Sequence, residues 1–396
     1  MNEKLNRMTI VIAFFSNPEH IAPVYDAICL LSKKFNVIVV HKNSKSLGYE
    51  YPKNVEVCKI GRETKLNYYK KTQFKLILEF FEFIYKLRAN LKKNKCSLLL
   101  CYDIYGFVAG WIASRFLRRF PVFYHQNETV LLREVAISRS FYWLKCLEIF
   151  FAGKANILSF PEPNRARLFL EDATFKKDVI IIENCPMKLI DLPKCSPQIE
   201  KLKSDGYKIV FHRGPIGNGS TIDIHETIRS IKFWPQTSML VIVGFRTEEE
   251  EEICRKIMRE EKIEDRLVFA PFVRTKEELL QYTVAADVGL VLYKPIEINR
   301  KYVAPCKLYD YFSCGVPVIV PSALPYLSKM VSDLGVGFSY LESTPEAIGM
   351  TISKLLNHPD KKAMGEKARN EHLSRLNFET QFQFLMNEIT KYGINN

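Results

Sequence analysis

Residues Arg300 to Val320 read RKYVAPCKLYDYFSCGVPVIV, and the reading of this stretch decides the rest. Pro305 can take the first position of a helix, where its missing N–H leaves nothing unpaired. Lys307 then falls in the first turn, where a cation opposes the helix dipole unless an anion shares the site. Asp310 lies one turn further on, Gly315 ends the short helix, and Pro317-Val318-Ile319-Val320 returns the chain to a sheet. Lys307 and Asp310 can equally form an ordinary i, i+3 surface pair.

Outward from this stretch, apolar runs of strand length alternate with longer amphipathic segments. Strands are expected at Thr9–Ser16, Val37–His41, Ser97–Tyr102, Pro121–His125, Ile157–Phe160 and Val179–Ile182, with helices over Pro23–Lys34, Asn67–Lys93 and Gly106–Arg118. Pro193, Pro197 and several lysines break the rhythm between Pro186 and Gly206. It restarts at Lys208–His212 and runs through Met239–Val243, Thr247–Glu261, Leu267–Ala270, Lys276–Ala285, Val288–Tyr293 and Pro345–Asn357, closing with helices from Lys361 to Lys391. Continuous apolar strands divided by helices describe parallel sheets covered on both faces. The expected organisation is an N-terminal Rossmann-like domain over 1–192, a linker over 193–206, and a second such domain over 207–375. A C-terminal helix over 376–396 would pack back on the first domain.

Composition narrows the class. With 396 residues, 47% hydrophobic, the chain can bury large cores without disulfide or metal staples. Its ten cysteines form no CxxC and no zinc-ligand spacing with histidine, as expected of scattered reduced thiols. Met1–Arg7 is polar and Ile10–Phe15 is too short for a signal h-region, so an intracellular, cytoplasmic protein is expected. The net charge of +13 is uneven: Lys42–Lys95 holds 14 Lys or Arg against five Asp or Glu. Such a surface attracts nucleic acid, anionic lipid or phosphorylated ligands alike. No nucleic-acid-binding module with interleaved basic and aromatic residues is present, so no nucleic-acid partner is expected.

The chain after the first strand, Ser16-Asn17-Pro18-Glu19-His20, is not GxGxxG, which removes the main support for a nicotinamide dehydrogenase. GxxxxGK[ST] is absent, and so is any DxD that would hold a divalent ion on a diphosphate; no metal and no cofactor are expected. Gly214-Pro215-Ile216-Gly217-Asn218-Gly219 follows a strand and precedes a helix. Such a turn can bring backbone N–H groups onto an anion, or can simply turn the chain.

The pattern P-x-K-L-Y-D-Y-F-S-C-G-V-P-V-I resembles the nucleotide-sugar motif of retaining GT-B glycosyltransferases of family 4, usually P-x-K-[LF]-x-E-Y-[MLF]-A-x-G-x-P-V-I, with Asp310 in place of Glu. Leu240-Val241-Ile242-Val243-Gly244, Phe269-Ala270-Pro271-Phe272-Val273, Ala286-Asp287-Val288-Gly289-Leu290 and Leu334-Gly335-Val336-Gly337 follow in family order. Phe123-Tyr124-His125 and Ile182-Glu183-Asn184 match more faintly in the first half. The resemblance implies an α/β GT-B fold, two Rossmann-like domains facing a central cleft. It also implies a retaining, metal-independent transferase that moves a sugar from a nucleotide-diphosphate donor to a glycan or lipid-linked acceptor, in bacterial surface-polysaccharide synthesis.

By the same resemblance, Asp310 stands where the family acid grips the ribose hydroxyls. Ala304, Pro305, Cys306 and Lys307 stand where the donor diphosphate rests on a helix start. His125 matches the histidine that contacts the donor sugar near its reacting carbon. Gly214 opens the phosphate loop. Two positions depart from the family: Ser220-Thr221 fills the slot of a basic loop residue, and Tyr302 replaces a Glu eight residues before the ribose acid. Arg213, Arg246, or Arg300 with Lys301 could supply the missing charge. Residues 68–95 and 115–120 interleave aromatic and basic side chains. They read either as an anionic membrane surface on the inner face of the plasma membrane or as helices with a solvated basic face. The competing functions are a catalytically idle GT-B scaffold and a nucleotide-sugar epimerase using Glu128 with His125.

Overall fold

In the computed structural model, residues 8–64, 73–115, 117, 120–135, 139–244, 246–273 and 275–395 are described. They form two compact units, residues 1–183 with 378–396 and residues 184–377.

Unit 1 runs β1 (Thr9–Phe14), α1 (Ala22–Ser32), β2 (Asn36–Ser44), β3 (Val55–Thr64), α2 (Gln73–Lys93), β4 (Leu98–Tyr102), α3 (Asp103–Ser114), β5 (Val122–His125), α4 (Arg139–Ala152), β6 (Ile157–Phe160), α5 (Pro163–Ala173) and β7 (Val179–Ile181). Its sheet is parallel throughout, in the order β3-β2-β1-β4-β5-β6-β7. Thr9–Phe14 and Leu98–Tyr102 are buried almost end to end, as strands enclosed on both faces must be. Phe83, Leu87 and Leu91 of α2, with Phe107 and Trp111 of α3, close one core of this unit.

Unit 2 runs α6 (Pro197–Ser204), β8 (Lys208–Arg213), α7 (Ile224–Arg229), β9 (Ser238–Val243), α8 (Glu248–Glu261), β10 (Leu267–Phe269), α9 (Lys276–Thr283), β11 (Val288–Leu290), α10 (Ile298–Lys301), α11 (Cys306–Ser313), β12 (Val318–Pro321), α12 (Pro325–Leu334), β13 (Gly337–Tyr340), α13 (Pro345–Leu356) and α14 (Lys361–Ser374). Its parallel sheet has the order β10-β9-β8-β11-β12-β13. The strand order therefore reverses between β8 and β11, the switch point where open α/β sheets bind ligands beyond their carboxyl ends.

The expected linker over 193–206 requires correction. It contains α6, capped by the Ser196 side chain, and belongs to unit 2. Residues just before it are tied down as well: Leu189 N donates to His372 Nε2 at 2.9 Å, and Arg369 donates to the Ile190 carbonyl at 2.7 Å. The units divide at 183/184 and again at 377/378. Beyond the second division, α15 (Phe378–Asn395) packs on α1 and β7, and Tyr392 meets Phe123 at 5.5 Å. A further correction is smaller: Pro305 caps α11, and Cys306 is its first helical residue.

Candidate donor site in unit 2 and the His125 loop in unit 1

At the switch point of unit 2, three segments converge. Strand β8 ends in His212 and Arg213, followed by Gly214 with a left-handed φ of +103°. Gly214 N donates to the Val243 carbonyl at 2.8 Å. Gly244 follows β9, and a Cβ there would stand 2.1 Å from the Gly214 carbonyl oxygen, so this approach requires glycine. The third segment is α11. The Tyr311 hydroxyl, 3.1 Å from the Phe211 and 3.2 Å from the Leu290 carbonyl oxygens, fixes that helix to the strand ends.

This packing brings the expected residues together. Arg213 pairs with the Asp310 carboxylate, and both are largely buried. Lys307, 8% exposed, has its Nζ 4.6 Å from the centre of the Tyr293 ring, with the Arg300 guanidinium 5.5 Å from the same ring. The Lys307 Nζ would be 3.5 Å from a Cβ on Gly214. Burial first, and then the charges of Arg213 and Arg300, push the Lys307 amine down to about 7. Burial, with Lys307 and Arg213 adding to it, holds the His212 imidazole well below its ordinary range, so it is neutral. Arg213 thus meets the Asp310 carboxylate, while Lys307 and Arg300 gather at Tyr293, with the Arg300 Nε also 3.6 Å from Glu297; cations exceed carboxylates here, which favours an anion. Ala304 lends its carbonyl to Asn184 Nδ2 at 2.9 Å.

Arg246 does not join this cluster. Its Nε lies 2.7 Å from Glu251, and its NH1 donates to the Gly244 and Ala270 carbonyls at 3.3 and 3.2 Å. The segment after β11 holds the glycine turn. Ile222 bridges Tyr293, Lys294 N donates to the Thr221 carbonyl at 3.0 Å, and Lys294 Nζ donates to the Gly219 carbonyl at 2.9 Å. Tyr293, which gathers two cations, was not singled out in the sequence, where it reads as the end of an apolar strand. Asp287 is structural, accepting from Ile209 N at 2.9 Å and from Lys361 at 2.7 Å.

In unit 1, His125 ends β5 and is 4% exposed, its Nδ1 2.9 Å from Ser159 Oγ. Burial pulls its pKa down to about 4, so the ring is uncharged at neutral pH. The loop after it is held by residues that carry no motif. The Asp103 carboxylate accepts from Asn127 N at 2.8 Å and Asn127 Nδ2 at 3.2 Å, and Arg165 donates to the Asn127 carbonyl at 2.5 Å. Asp103 itself sits at φ +55°, unusual for a non-glycine residue, and burial raises its carboxyl to about 6. Glu128, the other half of the epimerase pair, is exposed. Among the described residues no cluster of three or more His, Cys, Asp or Glu side chains is placed to hold a metal ion.

Residues 224–371, within unit 2, match the family described as glycosyl transferases group 1. This match lies within unit 2 and likens that unit to the group 1 glycosyltransferases. No curated protein sequence matches the chain. Among solved structures, the chain resembles a glycosyltransferase from Rickettsia africae, with a TM-score of 0.71, 13% identity, and 99% of this chain and 100% of that one covered. It also resembles sucrose-phosphate synthase from Thermosynechococcus elongatus (0.70, 15%, 98% and 100%). A third neighbour is Anabaena HepE in complex with UDP-glucose (0.67, 17%, 97% and 100%). At these identities the likeness concerns the fold, which is the GT-B class of two Rossmann-like domains.

Proposed function

We propose that this protein is a group 1 glycosyltransferase and transfers a sugar from a nucleotide-diphosphate donor, held by unit 2, to a glycan or lipid-linked acceptor. We further propose that it does so without a divalent metal and with retention of configuration, as a family 4 enzyme of surface-polysaccharide synthesis on the inner face of the plasma membrane. The observation that carries the reading is the cationic cluster at the β8–β11 switch point, where Arg213 pairs with Asp310 and the buried Lys307 shares the Tyr293 ring with the partly exposed Arg300. Its excess of positive charge suits the negative charge of an esterified diphosphate, the role a metal ion would otherwise fill. Anabaena HepE, similar in fold, is complexed with UDP-glucose, which supports a nucleotide sugar as the donor.

In this reading the Cys306 and Lys307 amides at the start of α11 receive the diphosphate. Lys307 and Arg213 stabilise the charge that grows on it as the sugar leaves. Asp310 releases Arg213 and accepts from the ribose hydroxyls. His125, neutral at physiological pH, donates or accepts a hydrogen bond at the sugar, and no side-chain base is required if a donor phosphate oxygen takes the acceptor proton. The test is release of nucleoside diphosphate from UDP-, GDP- and ADP-sugars in EDTA, with and without added acceptor glycolipids. Release from one donor class, unaffected by EDTA, is the expected result. Binding without any turnover supports the idle scaffold, and a new sugar epimer without transfer supports the epimerase.

A further inference from the structure

Helix α4 is apolar on both sides, with Ile149, Phe151 and Ala152 packed on the core of unit 1. Its inner side carries an ion pair, Lys145 Nζ to Glu148 Oε2 at 2.7 Å, with the two side chains 0% and 1% exposed. Gln126 Nε2, at 2.6 Å, and the Tyr124 hydroxyl bond the other Glu148 oxygen. Its outer side carries Tyr142, Trp143, Leu147 and Phe150, of which Trp143 is 68% and Phe150 58% exposed. A helix that faces water places its charges outward and its apolar stripe inward. Between 141 and 152 the only charged residues are the buried pair, and the next cation, Lys154, rests 3.7 Å over the Phe150 ring.

The neighbouring α2 repeats the theme. Phe83, Leu87 and Leu91 face the core, yet Ile77, Leu78, Phe81 and Tyr85 are 40–70% exposed. Tyr105 of α3 stands between the two helices, 5.8 Å from Phe80 of α2 and 6.1 Å from Phe141 of α4. The exposed charges of α2 are Lys75, Lys86, Lys92 and Lys93 against Glu82, since Glu79 is held by Lys42 at 2.5 Å. Residues 68–72, Phe116, Arg118 and Arg119, expected to belong to this surface, lie outside the described residues, as does the side chain of Phe74. Eight large apolar side chains on two helices flanking one other are more than the scattered exposures that need no explanation.

We propose that α2 and α4 together form the docking face of this protein for an anionic lipid bilayer. Trp143, Phe150, Phe81 and Tyr85 seat at the headgroup level, and Lys75, Lys86, Lys92, Lys93 and Lys154 meet the lipid phosphates. Tryptophan and tyrosine favour that level because each joins an apolar ring to a polar tip. The lysine rim decides between a bilayer and a second copy of the chain: a two-fold contact through this face would set like charges against each other, whereas anionic lipid neutralises them. The inference deepens the membrane placement proposed above and identifies α4 as part of the face. No helix among the described residues is long and apolar enough to cross a membrane, so the contact is made at the surface.

The chain's own tryptophans supply the test. Of the three, Trp111 and Trp234 are 5% and 3% exposed, so Trp143 reports on this face. The full-length protein is titrated with phosphatidylcholine vesicles with or without about 30% phosphatidylglycerol, some carrying brominated acyl chains. Expected are a blue shift and bromine quenching in anionic vesicles only, reversed by about 0.5 M salt. Trp143→Phe should still sediment with the vesicles but lose the quenching. Phe150→Ser with Phe81→Ser should lower co-sedimentation at least tenfold. Sedimentation with Trp143 unquenched overturns the proposal, as does no vesicle binding. A dimer in light scattering that Trp143→Ser dissociates would assign the face to a second copy instead and also overturn it. Stabilisation by donor nucleotide is measured on the same variants. It reports on unit 2, so loss of vesicle binding alone does not count against sugar transfer.

Discussion

Replacing Lys307 with methionine should make the protein more stable and unable to bind its donor. The amine is pushed from the ordinary 10.5 to about 7 by burial and by Arg213 and Arg300. At about 1.4 kcal/mol for each pH unit, this corresponds to a penalty of roughly 5 kcal/mol for holding the charge, an upper bound that local relaxation reduces. Lys307→Met keeps the length and packing of the side chain and removes the charge, so a gain of about 1–3 kcal/mol is expected, seen as a Tm rise of about 3–9 °C in scanning calorimetry. The sign with pH follows. The unfolded chain keeps the proton up to about 10.5 and the folded one only up to about 7, so wild-type stability rises with pH across that window. The gap between variant and wild type is therefore widest below pH 7 and closes toward pH 10. Donor binding runs the other way: it needs the ammonium form, so wild-type affinity should fall as pH rises above 7. A nucleotide that stabilises the wild type by roughly 2.7 kcal/mol at a hundredfold excess over Kd should leave the variant unmoved. A variant less stable than wild type at pH 6, or one still stabilised by nucleotide, would refute the argument.

Gly244→Ala places a Cβ 2.1 Å from the Gly214 carbonyl. It should cost about 1–3 kcal/mol and weaken donor binding at least tenfold, as read by urea unfolding and calorimetric titration. Glu148→Gln strands the Lys145 ammonium inside unit 1 and should destabilise by about 3–5 kcal/mol in urea melts, while Lys145→Met with Glu148→Leu should cost much less. His125→Asn should lower the rate of transfer on the order of 100-fold. Nucleotide affinity, which the proposed function assigns to unit 2, should stay within about twofold of wild type by the same titration.

The second unit was the more legible in sequence. Its motif residues act within one helix and one turn, so their spacing is also their geometry: Lys307 and Asp310 lie on successive turns of α11, and Gly214 follows β8 directly. The buried strands of both sheets announce themselves as continuous apolar runs such as TIVIAF and LLLCY. Edge strand β3 does not, because in Val55–Thr64 the charged residues and Gly61 break the continuous apolar run, leaving only a short alternation. Helix α4 was hidden because Lys145 and Glu148 point inward and aromatic side chains lie on both of its sides, Phe151 against Trp111 and Trp143 in solvent. Helix α6 was read as linker from its prolines, although Pro197 occupies the first turn, where proline is tolerated. Contacts between distant segments left no trace at all. Tyr293 beneath Lys307 and Arg300, and Asp103 holding Asn127, join residues whose separation carries no period. Among the candidate cations, sequence could not choose, and packing did: Arg213 pairs with Asp310, Arg300 lies over Tyr293 with its Nε 3.6 Å from Glu297, and Arg246 is engaged by Glu251.

Calorimetric titration of UDP, GDP and ADP in EDTA, on wild type and on Asp310→Ala, tests the central claim most directly. One nucleotide should bind the wild type without metal and bind the variant at least tenfold more weakly, since Asp310 is the carboxylate proposed to accept from the ribose hydroxyls. No binding of any nucleotide, or binding that needs a divalent ion and ignores Asp310, would contradict a metal-independent donor site at the β8–β11 switch point.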